Sequence, residues 1–114
     1  MRKDSERLQD MREAIDLIER YAVRGKQVFD EDELIQIWIV HYLQIIGEAA
    51  RSMSEDFINL HPDVPWIDIA DFRNVLVHEY WKIEPQIVWS IVQQELPDLK
   101  GKVEQILQSL PEDS

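Results

Sequence analysis

Apolar residues recur along this chain at steps of three and four, the spacing of one helical face, so the pattern predicts helices. From about Asp4 to Arg24 the repeat is Leu8, Met11, Ile15, Ile18 and Tyr21, with Arg12, Asp16, Glu19 and Arg20 on the other face. Gly25 is the expected stop, and Arg20 and Arg24 suit the negative end of the helix dipole. A second start follows at once. Asp30 can cap the free amides with Glu33 reaching back as in a capping box, while Phe29 and Leu34 occupy the positions of a hydrophobic staple. From Leu34 to Ala50 the chain is apolar almost all round: Ile35, Ile37, Trp38, Ile39, Val40, Tyr42, Leu43, Ile45 and Ile46. Such a helix is expected to be buried on every side and central to the fold. Its β-branched run also suits a strand, but its length and cap favour a helix. Gly47, with Ala49 and Ala50, offers close approach to a neighbouring helix.

The second half is punctuated by proline. Ser54–Leu60 either extends the central helix or forms a short one. His61-Pro62-Asp63-Val64-Pro65 is a firm break, because proline lacks the amide donor and restricts the residue before it. Pro65 suits the first turn of a helix running to about Tyr80, with an apolar side of Ile67, Ala70 and Val77 and their neighbours Ile69, Phe72 and Leu76. A turn around Lys82–Glu84 leads to Pro85, another helix start, and the stripe Ile87, Val88, Ile91, Val92 and Leu96. Pro97 is expected to kink or interrupt that helix. Leu99, Val103, Ile106, Leu107 and Leu110 carry the pattern on, and Pro111–Ser114 is expected to fray. With no strand alternation, repeat or low-complexity linker, the expected architecture is an all-α bundle of four to five helices.

Composition narrows the chemistry. The chain has 114 residues, the length of one domain, so residues 1–114 are taken as a single unit. With no cysteine, there are no disulfides, thiolate metal sites or cysteine nucleophiles, which fits a reducing cytoplasm. The three glycines lie far apart, so no Gly-rich phosphate cradle exists. No apolar stretch reaches a membrane span of roughly 18–20 residues, and Met1–Met11 lacks a signal-peptide core, so a soluble, cytoplasmic protein is expected. Twelve Lys+Arg against 23 Asp+Glu give a net charge of −11. A surface of that sign repels polyanions at long range and by itself argues against nucleic-acid binding.

Of the three histidines, His41, His61 and His78, no two stand at a metal-site spacing, so no metal is expected. His41 reads as an interior or interface residue and His61 as a loop residue. His78 differs in its company, Asp71-Phe72-Arg73-Asn74-Val75-Leu76-Val77-His78-Glu79-Tyr80. Asn74 and His78 are four apart, so Asn74 can hydrogen-bond His78 and fix its tautomer. Arg73 and His78 are five apart, about 140° around the axis, and do not face each other directly. Both could reach one phosphate if the arginine bends round, or if a second chain supplies half the site in a two-fold dimer. Arginine plus histidine without metal suits RNA backbone cleavage. The histidine takes the proton of a ribose 2′-OH or gives one to the leaving 5′-oxygen, and the arginine clamps the phosphate. DNA lacks that internal nucleophile. Taken alone, the pair fits equally a surface arginine and a helix-end histidine.

Here the chain resembles a known family. Arg73-x4-His78-x-Tyr80 matches the motif of the HepT-like toxins, a branch of the HEPN superfamily. Ile45-Ile46-Gly47-Glu48-Ala49-Ala50 is similar to that family's IGEAA segment, and His61-Pro62-Asp63-Val64-Pro65-Trp66 to its proline-rich turn. Arg73-Asn74 with His78-Glu79-Tyr80 is similar to its RN…HEY stretch. One departure is Asp71, where the family usually has a small residue; a carboxylate there could pair with Arg73 or repel RNA. The resemblance implies a helical homodimer of HEPN type with Arg73 and His78 of both chains lining an interface cleft. It implies a metal-independent endoribonuclease that needs no cofactor and acts as the toxin of a toxin–antitoxin pair. The implied partner is a minimal nucleotidyltransferase antitoxin that transfers AMP onto Tyr80, within a homodimer or a larger hetero-oligomer. Asn74 would support the site, and Arg51 and Lys82 are candidate RNA contacts. Glu48 either pairs with Arg73 or faces solvent. The alternative is a non-catalytic helical partner or substrate-binding module of a nucleotidyltransferase, which the acidic surface favours.

Overall fold

A computed structural model of the chain describes residues 3–79 and 84–110. Those residues contain helices and no strand. α1 spans Asp4–Ala22, α2 Lys26–Glu31, α3 Glu33–Arg51, α4 Glu55–Leu60, α5 Trp66–Glu79, α6 Pro85–Ser90 and α7 Leu96–Ser109. A π turn over Ile91–Glu95 joins α6 to α7, so the last three pieces form one interrupted rod. The all-α bundle read from the sequence is therefore four long helical rods with two short helices in the connections. The turn at Lys82 and the tail from Pro111 lie outside the described residues.

α3 is the central helix, packed on α1 along one side and on α5 along the next. Leu8, Met11, Ile15 and Ile18 of α1 are fully buried against Ile35, Ile39, Leu43 and Ile46 of α3. Each such side chain stabilises the fold by roughly 1.5–3 kcal/mol through burial alone. Trp38 adds direction to this packing: its Nε1 donates to Leu17 O at 2.8 Å, and its ring meets Tyr21 and Tyr42. α7 closes the core with Leu96, Leu99, Val103 and Ile106.

Several boundaries differ from the pattern-based expectation. Gly25 does break the first helix, with φ at 96°, a conformation that suits glycine. The cap of the central helix is Asp32, not Asp30: its Oδ1 accepts from the amides of Leu34 and Ile35 at 2.9 and 3.3 Å. Asp30 lies inside the extra helix α2, where it accepts from Lys26 and, across the fold, from Gln86 of α6 at 2.9 Å. These two donors hold its carboxyl below the usual carboxylate range. The staple does not form, because Phe29 is buried while Leu34 is 77% exposed. Pro65 stands just before α5, with its carbonyl accepting from Ile69, and Trp66 opens the helix. Trp66 Nε1 donates back to His61 O at 2.9 Å and closes the proline break. Pro85 begins α6 as expected. At Pro97 the α-helix is interrupted as expected, by a π turn just upstream. Leu96 N–H donates to Ile91 O, and the chain remains helical through the position where proline has no amide to give.

The central helix is not buried on every side. Ile37 is 49% exposed and His41 is exposed, because α1 and α5 cover adjacent flanks and leave the third open. On α5 the expected apolar side holds for Ile69, Phe72 and Leu76 but not for Ile67 and Val77. Trp66 and Leu76 are buried, with Ile69 and Phe72 packed beside them, whereas Ile67 and Val77 are 70% and 40% exposed.

Candidate active site

α3 and α5 run antiparallel. Gly47 lies against Arg73, while further back along α3 Val40 shares a cavity wall with Leu76, later in α5. The two helices come close together at Gly47. A β-carbon there would overlap Arg73 Cβ and stand 3.2 Å from its Cα. The missing side chain of Gly47 is thus the space the base of Arg73 occupies. The notch seats the arginine stem between two helices, and 22% of its side chain is exposed.

The guanidinium is held at both ends. Nη2 stands 3.3 Å from Glu48 Oε2, and Nη1 donates to Asn74 Oδ1 at 3.2 Å. The same Glu48 oxygen is 3.7 Å from Arg51 Nη1. Arg51, Glu48, Arg73 and Asn74 therefore form one cluster where the end of α3 meets the middle of α5. Glu48 and Arg51 are more than half exposed, so their pairs contribute only about 0–1 kcal/mol each to stability. The interest of the cluster lies in where it puts the guanidinium.

Of the candidate residues, Arg73, Asn74 and Arg51 come together. Asn74 binds Arg73 rather than His78, which corrects the expected tautomer-fixing bond. The carboxamide oxygen turns toward the nearer charged donor, and no Asn74–His78 bond forms among the described residues. Asp71 is exposed and does not take Arg73, whose carboxylate partner is Glu48. His78 lies exposed in the last turn of α5, separated from Arg73 by the rotation that five helical residues impose. Tyr80 and Lys82 fall outside the described residues. His41 stacks edge-on against Tyr42 on the open flank of α3, and His61 packs on Phe57. Among the described residues no group of acidic or histidine side chains could hold a metal ion, and no helix is long and apolar enough to cross a membrane.

The cluster lies at the surface, with Glu48, Arg51 and Asn74 exposed. A cavity of about 340 Å³ lies on the other side of the α3–α5 contact, between Ile46, Phe72 and Leu99, and is not lined by any candidate residue. Along α3 the stripe Ile37, His41, Gln44 and Glu48 recurs at steps of four and three and leads from open apolar surface to the arginine. On α5, Val75 and Val77 are exposed beside Asn74 and His78. Exposed apolar side chains therefore stand beside this polar pair. Sequence reasoning named the polar residues but missed that Gly47 seats Arg73. The signal was present as a lone glycine inside an otherwise bulky helix.

Comparison with known proteins adds to this geometry. The family described as ribonuclease HepT-like matches residues 11–106. A protein of Thermococcus cleftensis named "Probable ribonuclease HepT" is 36% identical over 109 residues, covering 92% of this chain and 96% of its own. A Methanocaldococcus jannaschii protein named "Putative RNase MJ0127" is 34% identical over 106 residues, covering 90% and 83%. A similar share, 37% over 92 residues, is identical in "Putative RNase TTE0752" of Caldanaerobacter subterraneus. No solved structure matches the chain significantly. A family match over most of the chain, on a helical bundle with the arginine seated at the Gly-Glu pair, establishes that the chain belongs to the HepT-like ribonuclease family.

Proposed function

We propose that this chain is a metal-independent endoribonuclease acting as the toxin of a toxin–antitoxin pair. The observation that carries the reading is the seated Arg73, a guanidinium held at the surface between Glu48 and Asn74 that, among the described residues, keeps N–H donors for a phosphate. His78, exposed in the last turn of the same helix, supplies acid–base chemistry. The ribose 2′-oxygen attacks phosphorus and forms a 2′,3′-cyclic phosphate as the bond to the 5′-oxygen breaks. The 2′ proton passes to an imidazole, and a second imidazole returns a proton to the leaving oxygen. Arg73 stabilises the charge that builds on the phosphoryl oxygens.

Two imidazoles and two arginines are available if a second copy packs on the open flank of α3 and the exposed side of α5. The apolar residues Ile37, Val75 and Val77 support that arrangement. Arg51 and Lys82 would then extend the phosphate contacts along the cleft. The partner proposed is a minimal nucleotidyltransferase, assembled with the dimer in the cytoplasm. It would transfer AMP to Tyr80, forming a phosphodiester on the phenolic oxygen and releasing pyrophosphate from ATP. Added bulk and negative charge at Tyr80, two positions after His78 in the sequence, would block RNA.

The test of the catalytic reading is cleavage of RNA by the purified chain with EDTA present. Arg73→Ala and His78→Ala should each lower the rate about 100-fold or more while helical content is retained. The modification is tested by intact mass after incubation with the nucleotidyltransferase and ATP. The parent should gain AMP units and Tyr80→Phe should gain none, while that variant still cuts RNA; AMP addition to Tyr80→Phe would place the modification elsewhere.

A further inference from the structure

Adjacent residues of α3 act on opposite ends of one side chain. Gly47 admits the stem of Arg73, and Glu48, one residue on, stands 3.3 Å from Nη2. Asn74 takes Nη1 from the other side at 3.2 Å. We infer that Glu48 is a positioning residue for Arg73: its carboxylate aims the guanidinium toward the scissile phosphate. This rests on the ribonuclease reading and adds a residue to it.

The choice of Glu48 follows from its neighbours. A carboxylate beside a phosphate site repels the substrate, so it has a cost for RNA binding that a neutral residue would not carry. Its contribution to stability is small, because the carboxylate is 52% exposed. What it supplies is orientation. With the stem pinned at Gly47, the remaining freedom of Arg73 is rotation of its outer bonds, and two acceptors on two different nitrogens fix the plane of the guanidinium. Arg51 cannot take this role, since it is itself a cation on the same Glu48 oxygen, at 3.7 Å and 57% exposed. Asp71 does not replace Glu48, because among the described residues it makes no contact with Arg73.

Positioning and repulsion together give a kinetic signature that loss of structure would not produce. Glu48→Ala should lower kcat about tenfold or more while KM stays level or falls, because RNA binds no worse but meets a misaligned clamp. Glu48→Gln, which keeps an oxygen in place, should recover part of kcat. Thermal unfolding of both variants should match the parent closely. A Glu48→Ala variant with unchanged or raised kcat overturns the inference, as does a rise in KM with kcat intact. A readout without RNA decides the matter even if the parent proves inactive. The ¹⁵N order parameter of the Arg73 Nε–H should be that of a rigid side chain in the parent and drop clearly in Glu48→Ala. An unchanged order parameter would show that Glu48 does not hold Arg73. If the parent cuts no RNA, the ribonuclease reading fails and the order parameter still reports on Glu48.

Discussion

Gly47 and Arg73 show how one residue's absence of a side chain sets another's position. Gly47→Ala pushes a methyl into the space of Arg73 Cβ, so α5 must shift or the arginine must leave its seat. Overpacking of this kind costs about 1–3 kcal/mol, read from urea unfolding, and RNA cleavage should fall with it. An alanine variant as stable as the parent would mean that the two helices separate freely at this point. The pairing of Arg73 with His78 in one helix was legible in the sequence, and so was their angular separation. The partners of Arg73 were less legible. Asn74 was expected to serve His78 at a step of four, but helical spacing states which residues can meet and not which donor wins. The neighbouring guanidinium, charged and already drawn toward Glu48, takes the carboxamide oxygen instead.

At the scale of elements, the order of long helices followed from apolar spacing, and Pro65 and Pro85 marked the starts of α5 and α6 to within a residue. The start of α3 did not follow. Asp30, Asp32 and Glu33 all offer capping chemistry, and the extra helix α2 decides among them by placing Asp30 one turn from Lys26. Asp32→Ala should therefore cost about 1 kcal/mol in unfolding free energy, the usual value of an N-cap. A loss below a few tenths would show that the cap does not carry the start of the helix. The faces of α5 were only partly readable, because Ile67 and Val75 stand among its polar residues Asp68, Asp71, Asn74, His78 and Glu79 and blur the boundary of the apolar side. Only the packing on α3 through Ile69, Phe72 and Leu76 shows which apolar residues the core takes.

For the whole molecule, a net charge of −11 first argues against any polyanion as ligand. The structure makes that argument local. The acidic surface excludes adhesion over the whole molecule, but Arg51 and Arg73 meet at one point beside an open apolar flank. The same flank explains why the central helix reads as buried all round. Its sequence is apolar almost all round, and among the described residues α1 and α5 supply most of its packing, so one flank stays open. If a second copy covers it, Ile37→Glu should convert a dimer into a monomer in sedimentation experiments and reduce cleavage; an unchanged dimer would place the interface elsewhere. The account as a whole stands on Arg73 and His78 acting on RNA. The most direct measurement is the rate at which the purified chain cuts RNA in EDTA, compared with Arg73→Ala and His78→Ala at equal helical content. The prediction is cleavage by the parent and a loss of about 100-fold or more in each variant. Intact RNA with the parent, or equal rates in all three proteins, would contradict it and favour a non-catalytic helical partner.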